Sequence, residues 1–178
     1  MITICDPRTV GEAMKILVLS DSHSALSFMR MCIDRVQPQV VIHLGDYYED
    51  GQTMAEEFSH IRFYCVPGNC DHYRVDSSVP QTLVETVDGV KIYMTHGHLH
   101  RVKSGTEALI SSAQRRGAKI ALFGHTHAAV CWQEEDGLWV LNPGSCGYYG
   151  GSAGLLQTES GKILSCRIIR QADLEEML

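Results

Sequence analysis

Five short polar clusters punctuate this chain, and each stands directly behind a short apolar run: Asp21-Ser22-His23, Gly45-Asp46, Gly68-Asn69-Cys70-Asp71, His96-Gly97-His98 and Gly124-His125-Thr126-His127. Such a pattern confines the fold to a sheet whose strand ends face one crevice. In an open α/β sheet the C-terminal strand edges line the same side, so residues remote in sequence converge there. Gly45, Gly68, Gly97 and Gly124 let the backbone turn sharply behind each strand and let a ligand approach closely. One composite site is expected.

The apolar runs are strand-sized. Lys15 to Ser20, Val40 to Leu44 and Ile61 to Val66 read as buried strands. Between the first two lies a helix that carries Leu26, Met29, Ile33 and Val36 on one face, with Ser24 as its predicted N-cap and Pro38 closing it. A polar, partly helical stretch to Phe58 separates the second strand from the third, which gives the alternation of a right-handed crossover sheet. The second half is richer in strands. Leu83 to Val87 and Val90 to Met94 flank the hairpin signal Asp88-Gly89, and a helix is predicted from a Ser104–Glu107 capping box to the stop at Arg115-Arg116-Gly117. Lys119 to Phe123, Ala129 to Gln133, Leu138 to Leu141, Gly154 to Gln157 and Ile163 to Ile169 follow as strand candidates. Two sheets packed face to face with outer helices bury all of these runs.

Composition narrows the function. At 178 residues the chain suits one compact domain. Fifteen Lys and Arg against twenty-one Asp and Glu give −6, a balance with no general attraction for polynucleotide phosphates or anionic lipid. No apolar run approaches the roughly 18 residues of a bilayer span. Seven scattered cysteines without a CxxC pair point to free thiols in a reducing cytoplasm. Met14 opens the first strand, so residues 1–13 read as an extension and 14–178 as the domain.

The clusters offer two carboxylates, one amide and several imidazoles. Hard oxygen combined with borderline imidazole suits Mn, Fe, Zn or Ni better than Mg or Ca alone, and such a donor set is too large for one ion. Two metals fit. If strand extension continues, Asp21 and His23 share a side at i and i+2, and the same spacing brings His125 and His127 to one cavity.

The ordered set DSH, GD, GNCD, HGH and GHTH resembles the calcineurin-like metallophosphoesterases, above all their small phosphodiesterase branch, which includes the retromer scaffold subunit. Asn142-Pro143-Gly144-Ser145 looks like that branch's closing turn. The resemblance implies a four-layer α/β/β/α sandwich with two mixed sheets, the metallo-dependent phosphatase fold. It also implies a dinuclear centre, with Asp21, His23 and His127 on one metal, Asn69, His96 and His125 on the other, and Asp46 bridging. The implied cofactors are two divalent transition metal ions, manganese first, with iron, zinc or nickel also compatible. The implied activity is two-metal hydrolysis of small phosphate diesters by a metal-bridging hydroxide.

Cys70 departs from the wider superfamily, which often has His after Gly-Asn. An ordinary thiol with a pKa of about 8.5 protonates a leaving alkoxide poorly, so esters with good leaving groups are expected. His98 is the candidate for contacting a substrate oxygen as a catalytic group, with Cys70 and His72 as further substrate-binding positions. His43, His60 and His100 read as structural, and Tyr47-Tyr48 and Tyr148-Tyr149 as rim packing. Two other functions stay open: a phosphomonoesterase or nucleotide phosphatase on the same site, and a non-catalytic interaction scaffold. A small phosphate ester is the expected partner, without long nucleic acid or membrane, and a homo-oligomer is compatible.

Overall fold

A computed structural model describes residues 13–176. The expectation that 1–13 form an extension therefore lies, but for Ala13, outside the described residues. Two five-stranded sheets form the centre of the molecule. In the first, β1 (Met14–Leu19), β2 (Val40–His43) and β3 (Arg62–Cys65) run parallel, with β9 (Ser152–Glu159) antiparallel to β1 and β10 (Lys162–Arg170) antiparallel to β9 at the edge. In the second, β5 (Val90–Thr95), β6 (Ile120–Leu122) and β8 (Trp139–Asn142) run parallel. β4 (Thr82–Val87) and β7 (Val130–Gln133) close its edges antiparallel.

Side-chain alternation along these strands builds three apolar layers. Ile16, Val18, Ile42, Ile92, Met94, Leu122 and Leu156 meet between the sheets. Leu17, Leu19 and Val41 point the other way, under α1 (Leu26–Val36), α2 (Tyr48–Glu57) and the short α4 (Gln171–Glu175), where Met29, Ile33, Met54 and Leu174 cover them. On the far side Tyr93, Ala121 and Val140 pack against Leu109 and Ala113 of α3 (Glu107–Arg115). The expected α/β/β/α layering is therefore present. It also explains why Ile16 to Leu19 is an unbroken apolar run rather than an alternating one, since a strand covered on both faces has no side left for polar residues.

Two predicted helix caps are absent. Ser24 sits at φ +69° and its N–H donates to Asp50 Oδ2 at 2.8 Å. The helix starts behind Ala25 instead, without a side-chain cap. Asp50 arrives from α2, so tertiary contact takes Ser24 away from capping. The Ser104–Glu107 box also fails to form. Ser104 N–H donates to the Arg101 carbonyl at 2.8 Å within a turn, and α3 begins at Glu107 behind Thr106. Val102, tucked under Gly97, commits this segment to the turn before the helix can start. The hairpin expected at Asp88-Gly89 forms with Val87 opposite Val90. None of the described helices is long and apolar enough to cross a membrane.

Candidate metal centre

The parallel strands β1, β2 and β3 and their counterparts β5 and β6 end at one rim, and the five polar clusters follow them there. Extension does not continue into the clusters. Asp21 and His23 take φ +51° and +43°, Asp46 +54°, and His125 and His127 +68° and +58°. Left-handed backbone is costly for residues with a Cβ, on the order of 1–3 kcal/mol each, and it persists only where the surroundings hold it. The pairs Asp21/His23 and His125/His127 thus face the crevice through tight left-handed turns, not through the strand alternation read from the sequence.

A buried network holds these turns. Asp21 N–H donates to the Gly45 carbonyl at 2.9 Å, Ser145 Oγ to the Asp21 carbonyl at 2.7 Å, and His125 N–H to Asp21 Oδ2 at 3.1 Å. Asn142 Nδ2 reaches the Gly124 carbonyl at 3.0 Å and Thr126 Oγ1 at 2.9 Å, which ties the GHTH turn to the end of β8. A Cβ on Gly124 would stand 2.0 Å from Ser20 Oγ and 2.7 Å from Asp21 Oδ2, so only glycine admits this approach.

Sequence reasoning gave no role to Asp71, which is fully buried. Its Oδ1 accepts the N–H groups of Tyr47 and Tyr48 at 2.8 and 3.0 Å, and its Oδ2 accepts Gly68 N–H at 2.7 Å. One carboxylate therefore clamps the loop carrying Asp46 to the loop carrying Asn69. Asp50 does the same for the first cluster, accepting Ser22 Oγ at 2.7 Å as well as Ser24 N–H. An aspartate inside a polar cluster was the available signal, but which backbone amides it would meet depends on how the loops cross.

Asp21, His23, Asp46 and His127 each bring one donor atom to a common point, all within 4.8 Å of one another. Atoms ligating one ion at about 2.1 Å lie at most about 4.2 Å apart, so small side-chain shifts close this set on a cation. Asp21 Oδ1 is the sharpest sign. Its partner oxygen is satisfied by Ser20 Oγ at 2.6 Å and His125 N–H, while Oδ1 is buried without a hydrogen bond, 3.1 Å from His127 Nε2. His23 Nε2 is likewise buried and unpartnered, 3.9 Å from Asp46 Oδ2.

His96 anchors a second group. Its Nδ1 lies 2.7 Å from the Leu44 carbonyl, which can only accept, so the proton is on Nδ1 and Nε2 carries a lone pair. That lone pair faces Asn69 Oδ1 at 3.2 Å, Asp46 Oδ1 at 3.4 Å and Asp21 Oδ1 at 3.9 Å. Burial pushes the His96 imidazole down to about 3, so protonation does not relieve the arrangement near neutrality. Acceptors facing the lone pair of a buried imidazole are unfavourable unless a cation stands among them. The His125 ring lies 5.1 Å from the His96 ring. Asp46 turns one oxygen toward each group, and Cys70 N–H fixes Oδ1 at 2.9 Å.

The remaining predicted positions sit beside this centre. The His98 ring is 5.4 Å from His96, with a buried, unpartnered Nδ1. It lines a cavity of about 430 Å³ together with Asn69, Asp71, His72, Asp76, Ser77 and Gln81. His72 is exposed at the rim against Tyr73. Cys70 is exposed, and burial of its thiol with the nearby Asp46 carboxylate pushes it up to about 11. Of the tyrosines, Tyr148 stacks on His127 at 5.2 Å and Tyr47 meets the His23 ring edge-on at 5.1 Å. His43 is buried on Ser22 Oγ at 3.0 Å, and His100 bonds the Tyr93 hydroxyl at 2.9 Å.

Known proteins bear on this geometry. A family model described as the calcineurin-like phosphoesterase superfamily domain matches residues 14–161. A phosphodiesterase of Methanocaldococcus jannaschii is 28% identical over 166 residues, 82% of this chain and 94% of that protein. The crystal structure of a conserved Streptococcus pneumoniae protein, described as a predicted phosphoesterase, superposes with a TM-score of 0.74 at 26% identity, covering 90% of this chain and 91% of that one. Vacuolar protein sorting 29 of Cryptosporidium parvum shares the fold alone, with a TM-score of 0.68 at 17% identity over 89% of this chain and 99% of that one.

Two outcomes follow from the site's electrostatics. Burial lifts the Asp21 carboxyl to about 6, so a cation must displace a proton from it below that pH, whereas His96 stays neutral down to about 3. Calorimetric titration with Mn²⁺ or Zn²⁺ is expected to show affinity falling roughly tenfold per pH unit below about 6; a flat profile from pH 7 to 5 contradicts the role of Asp21. Asp71→Ala leaves three N–H groups without their carboxylate partner, Gly68's in a buried position, and is expected to cost about 2–4 kcal/mol in urea unfolding, with weakened metal uptake. Unchanged stability contradicts the clamp.

Proposed function

Because the chain belongs to the calcineurin-like phosphoesterase superfamily, we propose that it is a cytoplasmic, two-metal phosphodiesterase acting on small phosphate diesters. The observation that carries this reading is the lone-pair-only surrounding of His96 Nε2 beside the Asp21, His23, Asp46 and His127 group. Asp21, His23 and His127 would hold one divalent transition metal ion, manganese by preference, and Asn69, His96 and His125 a second, with Asp46 shared. When bound, the pair supplies an activated water and neutralises phosphate oxygens.

The chain's own groups then set selectivity. Two carboxylates against two divalent ions leave a net charge of roughly +2, and the neutral Asn69 oxygen keeps it from falling further. Among the described residues no Lys or Arg lines the adjoining cavity, whose polar wall includes Asn69, Asp71, His72, Asp76, Ser77, Gln81 and His98. A diester monoanion suits that wall. A monoester dianion would need an additional cation there. His98 is held neutral by burial and sits between His96 and the cavity, so it would hydrogen-bond a substrate oxygen without carrying charge. Cys70 donates its N–H to Asp46 and its thiol is a weak acid, which leaves the departing oxygen with little proton assistance and favours aryl or comparably stable leaving groups.

The reading predicts that Mn²⁺-loaded protein hydrolyses bis-p-nitrophenyl phosphate with kcat/KM at least tenfold above that for p-nitrophenyl phosphate. His96→Ala should lose about 10³-fold or more with the circular dichroism spectrum retained, and His98→Ala about 10- to 100-fold with metal content unchanged. A preference for the monoester would support the phosphatase alternative. A folded, metal-loaded and inactive wild type would support the scaffold alternative.

A further inference from the structure

A cysteine pair in close contact lies away from the polar centre. Cys131 belongs to β7 and Cys166 to β10, the edge strands of the two sheets. The sulfurs face each other across the lateral opening of the sandwich with Sγ–Sγ 3.0 Å, about 1 Å beyond a disulfide bond. Both side chains border the apolar layer between the sheets and are only partly buried, at the open edge of the sandwich. Cys32 and Cys146 are buried, and Cys70 is exposed beside Asp46.

We infer that Cys131 and Cys166 form a reversible dithiol/disulfide modification site, oxidised by low-molecular-weight disulfides to a bond that joins the two sheets. Either sulfur can donate to the other at this distance, and one of the two attacks as the thiolate. It displaces one thiol from the reagent and forms a mixed disulfide. The second protein sulfur then attacks the first and releases the second small thiol. Two protein thiols and one disulfide become one protein disulfide and two small thiols, with both protons carried by the released thiols. The bond has a structural reach. Val130 pairs with Asn142, whose side chain holds the Gly124 turn, so fastening Cys131 tethers the strand that follows His127 to the opposite sheet.

The test incubates the full-length protein with oxidised glutathione and compares it with a dithiothreitol-treated sample. Peptide mapping should show Cys131 joined to Cys166 with neither alkylated, and the oxidised form should melt about 5–10 °C higher, because closing the intervening loop restricts the unfolded chain. Cys131→Ser and Cys166→Ser should each abolish both effects, while Cys70→Ser should leave both intact. Recovery of Cys131 and Cys166 as free thiols or as stable glutathione adducts overturns the proposal, as does an internal disulfide at other positions. None of these readouts depends on metal loading or turnover.

Discussion

A carboxylate is driven into the interior with only one of its oxygens satisfied. Asp21 lies at the end of the central strand, wholly buried, with Oδ2 occupied by Ser20 and His125 and Oδ1 facing imidazole nitrogens. Burying such a group uncompensated costs several kcal/mol, and the charge that compensates it also organises everything around it. Three turns close on Asp21: its amide holds Gly45, its carbonyl receives Ser145, and its side chain receives the amide of His125. The two sheets meet at this rim through that residue, and the strained backbones of His23, Asp46, His125 and His127 are placed relative to it.

The strain and the electronegativity are complementary. Left-handed turns bring donors closer than regular strands allow, and the crowding leaves lone pairs directed at one another. Both are unfavourable in the bare chain, and a divalent cation bound among these donors would turn both into binding energy. Structural carboxylates hold the crowded turns in place. Asp50 and Asp71 accept N–H and O–H donors from the cluster segments and so brace the loops. The phosphoesterase family supplies a functional setting in which such an arrangement is useful.

Much of this was legible in the residues. Gly-Asp, Gly-Asn and paired histidines behind apolar runs announced strand ends that share an edge, and Asp21, His23, Asp46 and His127 do gather at one point. Reasoning from local pattern went astray where a long-range partner intervened. Ser24 has the composition of a helix cap but is claimed by Asp50 from another helix, and Ser104 is drawn into a turn seated by Val102. Asp21, His23, His125 and His127 reach the crevice through left-handed backbone, where i, i+2 alternation assumes extension.

The sequence by itself determined the layers, because an unbroken apolar strand must be covered on both faces, and it determined the kind of chemistry, because oxygen and imidazole donors in that number have few other uses. Only the tertiary structure decided which oxygen of Asp46 faces which group, that His96 offers Nε2 rather than Nδ1, that Asp71 is a clamp and that Cys131 meets Cys166. Each of these rests on contacts between segments that local propensity treats as independent, and a hydrogen bond between two such segments has a direction that exists only once both are in place.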